Sequence, residues 1–165
     1  MAKPLKPETS FVPYPAPAFD LPASDGAVRS LSAMAGQWFI LFLYPKDDTL
    51  ACTQEARDFS AALPEFAALG VAVLGLSRDS LKAHAKFIAK YGLKMPLLSD
   101  EDTSAIDAFG AWGEKMLYGR VYLGTERSTF LIDPQGVVRR AWRQVKVKAH
   151  VQEVLNVTKT LLRGE

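Results

Sequence analysis

The chain has a single cysteine, Cys52, among its 165 residues. One thiol excludes an intrachain disulfide, a CxxC redox pair and a zinc site built on cysteines. Any redox chemistry must therefore recruit a thiol from outside the chain. Histidine is almost as scarce: His84 and His150 stand far apart and form no HExxH or similar ligand spacing. No GxGxxG or Walker-type loop occurs, so metal, dinucleotide and triphosphate sites fall away and no cofactor is expected. Charge of one sign is also lacking. The 20 Lys+Arg and 18 Asp+Glu leave a net +2, too weak a bias to imply nucleic acid or a membrane surface. The longest unbroken apolar run, Trp38 to Tyr44, is about a third of a membrane span, and the N-terminal segment has no apolar signal region. A cytoplasmic protein with neither nucleic-acid nor membrane partners is the expectation.

What is present is ordinary in bulk, with 48% hydrophobic and 23% charged residues, and it points to one globular domain over 1–165. Six of the ten prolines lie within Pro4 to Pro22, which makes this stretch extended. Residues 1–16 read as an N-terminal arm. The run Trp38 to Tyr44 reads as a strand buried on both faces, hence central in a covered sheet. Ala56, Phe59, Leu63 and Phe66 then recur at helical spacing, with Pro64 expected to bend the helix and Gly70 to end it. Val71 to Leu76 is a second buried strand. Ser80 to Tyr91 reads as a helix capped by Asp79 or Ser80 and stopped by Gly92. This alternation predicts an α/β fold, a central β-sheet with parallel strands and flanking helices. From Leu97 to Gly119 the pattern is irregular and suggests a short strand, a short helix through Ala105 to Phe109, and a loop containing Trp112. Ser128 to Ile132 and Val137 to Trp142, joined by Asp133-Pro-Gln-Gly136, predict a hairpin, and Val147 to Leu162 a closing helix.

Cys52 falls after the central strand, in the first turn of the next helix. Unpaired N–H groups and the partial positive charge at a helix N-terminus stabilise a thiolate over a thiol. Functional sites in open α/β sheets also gather beyond the carboxyl ends of strands, where this loop lies. A lone cysteine is often just a small buried hydrophobe, but a first-turn cysteine behind a charged loop is a poor core filler. Thr49, three residues earlier, can cap the helix and hold its hydroxyl near the sulfur.

Pro45-x-x-x-Thr49-x-x-Cys52 resembles the active-site motif of the peroxiredoxins. Phe42 to Thr49, Cys52-Thr-Gln-Glu-Ala56, Tyr118 to Gly124 and Glu126 to Asp133 resemble the bacterioferritin comigratory protein, or peroxiredoxin Q, subfamily. The similarity runs from about Ala16 to the last helix. It implies a thioredoxin-like fold, a mixed central sheet with helices on both faces, and thiol-dependent peroxidase activity toward hydrogen peroxide and organic hydroperoxides. Cys52 would attack a peroxide oxygen and become a sulfenic acid. Arg127 would favour the thiolate and stabilise charge moving onto the peroxide, and Thr49 would hydrogen-bond the substrate. Pro45, which has no N–H, would shield the pocket. Glu55 and Trp112 are candidate neighbours without an assigned role.

The chain departs from the subfamily pattern twice. Members often carry a resolving cysteine five residues after the first or on the next helix, but here the first position is Arg57 and the helix from Ser80 has none. The implied course is a 1-Cys mechanism in which thioredoxin, glutaredoxin or a low-molecular-weight thiol reduces the sulfenic acid. Leu50-Ala51 also replaces the usual Pro-Gly, which bears on loop flexibility and peroxide access. A monomer or weak dimer is expected. Three other readings remain open. A cysteine hydrolase would need a base, but His84, His150 and Asn156 are placed by no recognised motif. A peroxide sensor would carry oxidised Cys52 without turnover. A phosphate-binding surface could use Arg139, Arg140, Arg143, Lys146 and Lys148 around Trp142, although a solvated strand end explains the same cluster.

Overall fold

The computed structural model describes residues 11–163. At its centre Trp38–Leu43 forms β4, whose alternate residues serve opposite faces. Phe39, Leu41 and Leu43 join one buried cluster, and Ile40 and Phe42 the other. No side chain from Phe39 to Leu43 is more than 1% exposed. A strand covered on both sides has no polar face, which is why it reads as a continuous apolar run. Parallel to β4 runs β5 (Val71–Ser77), with Ile40 opposite Val73; antiparallel on the other side runs β9 (Ser128–Ile132), with Leu41 opposite Phe130. β6 (Leu97–Ser99) extends the sheet beyond β5, while β10 (Val137–Trp142) and β1 (Tyr14–Pro15) extend it beyond β9. The six strands lie in the order β1-β10-β9-β4-β5-β6, a mixed sheet.

Three helices cover one face: α1 (Leu50–Ala68), α2 (Leu81–Tyr91) and α4 (His150–Leu162), contributing Phe59, Phe66, Phe87, Val154 and Leu155. The other face packs against Ile106 of the short α3 (Ser104–Ala108) and Leu21 of the ribbon β2 (Asp20–Pro22)–β3 (Val28–Ser30). This is the thioredoxin-like arrangement that the sequence implies. Phe59 stacks on Phe42 with ring centroids 4.5 Å apart, fixing α1 to the central strand. Cys52 lies two turns nearer the start of α1, in the same buried cluster.

Helix α2 has the ends that its sequence predicts. The Ser80 Oγ accepts the Ala83 N–H at 3.1 Å, and Gly92 takes the left-handed conformation at φ 63° just past the last turn. Ser80→Ala is expected to lower stability by about 1 kcal/mol, read as a lower denaturant midpoint at constant slope. An unchanged midpoint would show that water replaces the cap without loss.

Two expectations need correction. Trp112 is not in a loop: it opens β7 (Trp112–Leu117), which pairs with β8 (Arg120–Thr125) as a separate antiparallel hairpin. The turn residues Tyr118 and Gly119 both have positive φ, 53° and 76°, as a two-residue hairpin turn of the primed type requires. The hairpin escaped the pattern because Met116, Leu117, Tyr118, Val121 and Leu123 are exposed, leaving no buried face for alternation to mark. The closing helix begins at His150, not Val147, because Ala149 adopts φ 61° immediately before it. The extended reading of the proline-rich segment holds where it is described, in β1 and β2, whereas most of the predicted arm, residues 1–10, lies outside the described residues.

Candidate active site

The loop from Pro45 to Thr49 carries the chain from the end of β4 into α1, and it is tied down from several sides. Tyr44 donates its hydroxyl to Asp47 Oδ1 at 2.6 Å, while Asp47 Oδ2 meets His84 Nδ1 of α2 at 2.6 Å. His84 Nε2 faces the Leu98 carbonyl at 2.9 Å, so both ring nitrogens point at acceptors. The Asp47 N–H donates to Asp79 Oδ2 at 2.9 Å. On the exposed side of the loop, Asp48 accepts from Lys90 Nζ at 2.8 Å and from Tyr91 Oη at 2.6 Å, with its own backbone at φ 61°. Neither His84 nor Asp47 is marked by spacing, since their pairing joins two elements through the fold.

Thr49 occupies the N-cap of α1, but its hydroxyl does not cap the helix. It donates instead to the Lys46 carbonyl at 3.1 Å, closing the loop turn, and the residue is exposed. The expected double role of Thr49 as cap and neighbour of the sulfur is corrected on the first count. The loop's sharp turn at Asp48 brings the Lys46 carbonyl within reach and takes the hydroxyl first.

Cys52 is the third residue of α1 and only 1% exposed. Arg127, between β8 and β9, reaches it from the strand next to β4, where Ser128 lies opposite Leu43. Its Nη2 lies 3.4 Å from Cys52 Sγ and its Nη1 donates to Glu55 Oε1 at 2.8 Å. Burial pulls the guanidinium down, but Glu55 and Cys52 together outweigh it and hold the group above its ordinary value. Arg127 is thus a fixed cation against the sulfur.

Glu55 is the residue that sequence reasoning left without a role. Its place three residues after Cys52 puts both on one side of α1, and that spacing is the signal that could have found it. The side chain is fully buried. Burial pushes its carboxyl up to about 7, with Arg127 opposing the rise only in part. Its Oε2 has no hydrogen-bond partner among the described residues. A protonated oxygen costs less to leave unpaired in such a place than a charged one. Close by, His150 meets the Thr129 hydroxyl at 2.8 Å, and burial first, then the Arg127 charge, pushes its imidazole down to about 4.

A cleft of about 490 Å³ opens at this point, with Pro45, Trp112, Glu126 and Arg127 in its walls. Pro45 and Arg127 therefore come together at the cleft, and Arg127 joins the cleft to the buried sulfur. Part of the basic cluster on β10 and beyond, by contrast, is absorbed into the fold, while Lys146 and Lys148 remain exposed. Arg139 pairs with Asp133 and lies over Trp38, Arg143 bonds the Phe109 carbonyl, and Trp142 donates to Glu153.

Residues 12–141 match the AhpC/TSA family model. The chain belongs to the AhpC/TSA family of peroxiredoxins. Within it the relatives are of the bacterioferritin comigratory protein, or peroxiredoxin Q, subfamily. It is 50% identical to Peroxiredoxin Bcp of Xanthomonas campestris over 147 residues, 88% of this chain and 92% of that protein. The Bacillus subtilis Peroxiredoxin Bcp is 42% identical over 146 residues, 88% of this chain and 93% of that one. Among solved structures, Xanthomonas campestris Peroxiredoxin Q superposes with a TM-score of 0.83 at 47% identity, covering 87% of this chain and 91% of that one. This peroxiredoxin is a thiol peroxidase with one catalytic cysteine, consistent with a 1-Cys mechanism. A peroxide substrate and a thiol-based redox partner follow at the level of the family. Among the described residues no helix is long and apolar enough to cross a membrane.

Proposed function

We propose that the protein reduces hydrogen peroxide and organic hydroperoxides at Cys52 and returns to the thiolate through an external thiol. The observation that carries this reading is Arg127, which bonds Cys52 Sγ at 3.4 Å while forming part of the cleft wall. The Cys52 thiolate attacks one peroxide oxygen; the S–O bond forms as the O–O bond breaks, and water or an alcohol leaves with a proton. Arg127 stabilises the negative charge that spreads over the peroxide oxygens. Thr49 hydrogen-bonds the substrate once its hydroxyl swings away from Lys46, and Pro45 presents a face without an N–H that keeps water from the reacting atoms. With no second cysteine, thioredoxin, glutaredoxin or a low-molecular-weight thiol takes over resolution. A protein with a free redox thiol of this kind works in the cytoplasm, as a monomer or weak dimer, without nucleic-acid or membrane partners.

The test is the rate at which stoichiometric hydrogen peroxide oxidises Cys52, followed by intact mass and a sulfenic-acid trap, with Cys52→Ser as the blank. The folded protein is expected to react much faster than the same chain unfolded in urea at matched thiolate fraction. Equal rates would remove the peroxidase reading and favour a domain whose motif has lost its chemistry.

A further inference from the structure

We propose that a second cleft, adjoining the peroxidatic one, binds the carboxylates of a small anionic thiol, and that this thiol is the direct reductant of oxidised Cys52. The inference rests on the peroxidase reading above and adds the chemical class of the reductant.

The second cleft, of about 350 Å³, shares Pro45, Trp112 and Lys115 with the first. Its walls carry three cations, Lys46, Arg78 and Lys115, against one acid, Asp79. That acid is already engaged: Asp79 Oδ2 accepts the Asp47 N–H at 2.9 Å and the Ser77 hydroxyl at 2.6 Å. Lys46 and Arg78 are exposed, and neither forms a salt bridge among the described residues. Arg78 is held by the ring of Trp112, 5.3 Å from its centroid, and Lys115 Nζ by the Thr125 carbonyl at 2.8 Å. The first cleft differs, since Glu114 and Glu126 balance Lys115 and Arg127 there. The second cleft thus carries three cations against one acid, whereas the first carries two of each. One guanidinium held over an aromatic ring, with two lysines lining the same cleft, suits a carboxylate-bearing ligand.

The position of Cys52 argues for a small thiol. At 1% exposure its sulfur is beyond the reach of a thiol fixed on another protein's surface unless the first turn of α1 is uncovered. A flexible molecule anchored on Lys46 and Arg78 needs a smaller opening, because its sulfhydryl can extend past the shared Pro45 and Trp112 as far as Arg127, whose guanidinium lies against Sγ. Its thiolate attacks the Cys52 sulfur; an S–S bond forms, the S–O bond breaks, and hydroxide leaves to become water with the thiol's proton. A second molecule of the same thiol attacks the bound thiol's sulfur in that mixed disulfide, leaving as the low-molecular-weight disulfide and releasing the Cys52 thiolate. Two thiols are oxidised for each peroxide reduced.

The probes are glutathione, which bears two carboxylates, and its diethyl ester, compared at equal thiolate concentration on Cys52 oxidised beforehand with one equivalent of peroxide. Glutathione is expected to react about tenfold faster than the ester, with the ratio falling toward one in about 0.5 M KCl. The Lys46→Gln/Arg78→Gln double variant, altered at two exposed positions, should bring the ratio near one at low salt. Calorimetric binding of unreactive S-methylglutathione to the reduced protein should show saturation and weaken about tenfold in the same variant. A ratio near one in the parent, or one that survives in the double variant, overturns the proposal. So does the absence of S-methylglutathione binding, whatever Cys52 does with peroxide. If the carboxylate preference appears instead in the oxidation step, between a carboxylate-bearing hydroperoxide and its methyl ester, the cleft serves the peroxide and the proposal fails. Failure of Cys52 to form a sulfenic acid at all would count against the peroxidase reading, and the binding measurement would still judge the cleft.

Discussion

Replacing Arg127 by glutamine is expected to slow the oxidation of Cys52 by hydrogen peroxide by about 10²- to 10³-fold, the usual loss when a preorganised charge stabiliser is removed. The expectation follows from what the guanidinium holds. One nitrogen faces Cys52 Sγ at 3.4 Å and the other donates to Glu55 at 2.8 Å, with the side chain 13% exposed. On the proposed roles, the variant loses both the cation beside the sulfur and the donor to the peroxide oxygens, two losses that can be separated. Thiolate absorbance against pH measures the first, and the rate per thiolate measures the second. Arg127→Lys keeps the charge but cannot span Glu55 and Cys52 with a planar fork, so it should fall between parent and glutamine. A tenfold or smaller loss in Arg127→Gln, entirely explained by thiolate fraction, would reduce Arg127 to a ground-state electrostatic role.

The same geometry shows which parts of the molecule were legible in the sequence. β4, β5, α2 and the β9–β10 hairpin each bury a complete face, so periodicity and caps announced them. The β7–β8 hairpin buries little and left no such trace, although it supplies Trp112 to both clefts. Cys52, Pro45 and Arg127 were legible because a first-turn thiol and a matching motif single them out. Their electrostatic partners were not. Glu55 is one of many carboxylates until the fold seals it against Arg127, and His150 meets Thr129 only because α4 starts against β9. Asp47 and His84 likewise pair across elements far apart in the chain. Local pattern shows what a residue does for its own helix or strand; pairings that shift charge are made by topology.

Two of those hidden partners carry the second large prediction: their contributions to the parent's stability should nearly cancel between about pH 4.5 and 6.5, and either of two substitutions should unbalance them. Glu55 has its carboxyl raised from 4.5 to about 7 in the folded protein. The folded state therefore holds a proton that the unfolded chain releases, so this contribution is complete below pH 4.5 and is lost as pH rises through 7. His150 is lowered from 6.5 to about 4, so the unfolded chain binds the proton first. Its contribution is complete above pH 6.5 and is lost as pH falls through 4. Each amounts to about 3 kcal/mol, and over the shared window they oppose one another. In Glu55→Gln only the His150 slope should remain, so stability should drop by about 3 kcal/mol on acidification from pH 6.5 to 4 relative to the parent. In His150→Gln only the Glu55 slope remains, and the same loss should appear on raising pH from 4.5 to 7. Urea unfolding at a series of pH values reads both. Taking each variant against the parent cancels every shared titration, including that of Asp100, whose carboxyl burial also raises. A Glu55→Gln curve parallel to the parent would mean that Arg127 keeps Glu55 ionised throughout. Glu55 would then be a permanent counter-ion to Arg127, competing with Cys52 for it at every pH, whereas a tilted curve makes that competition relax as the carboxyl takes up its proton.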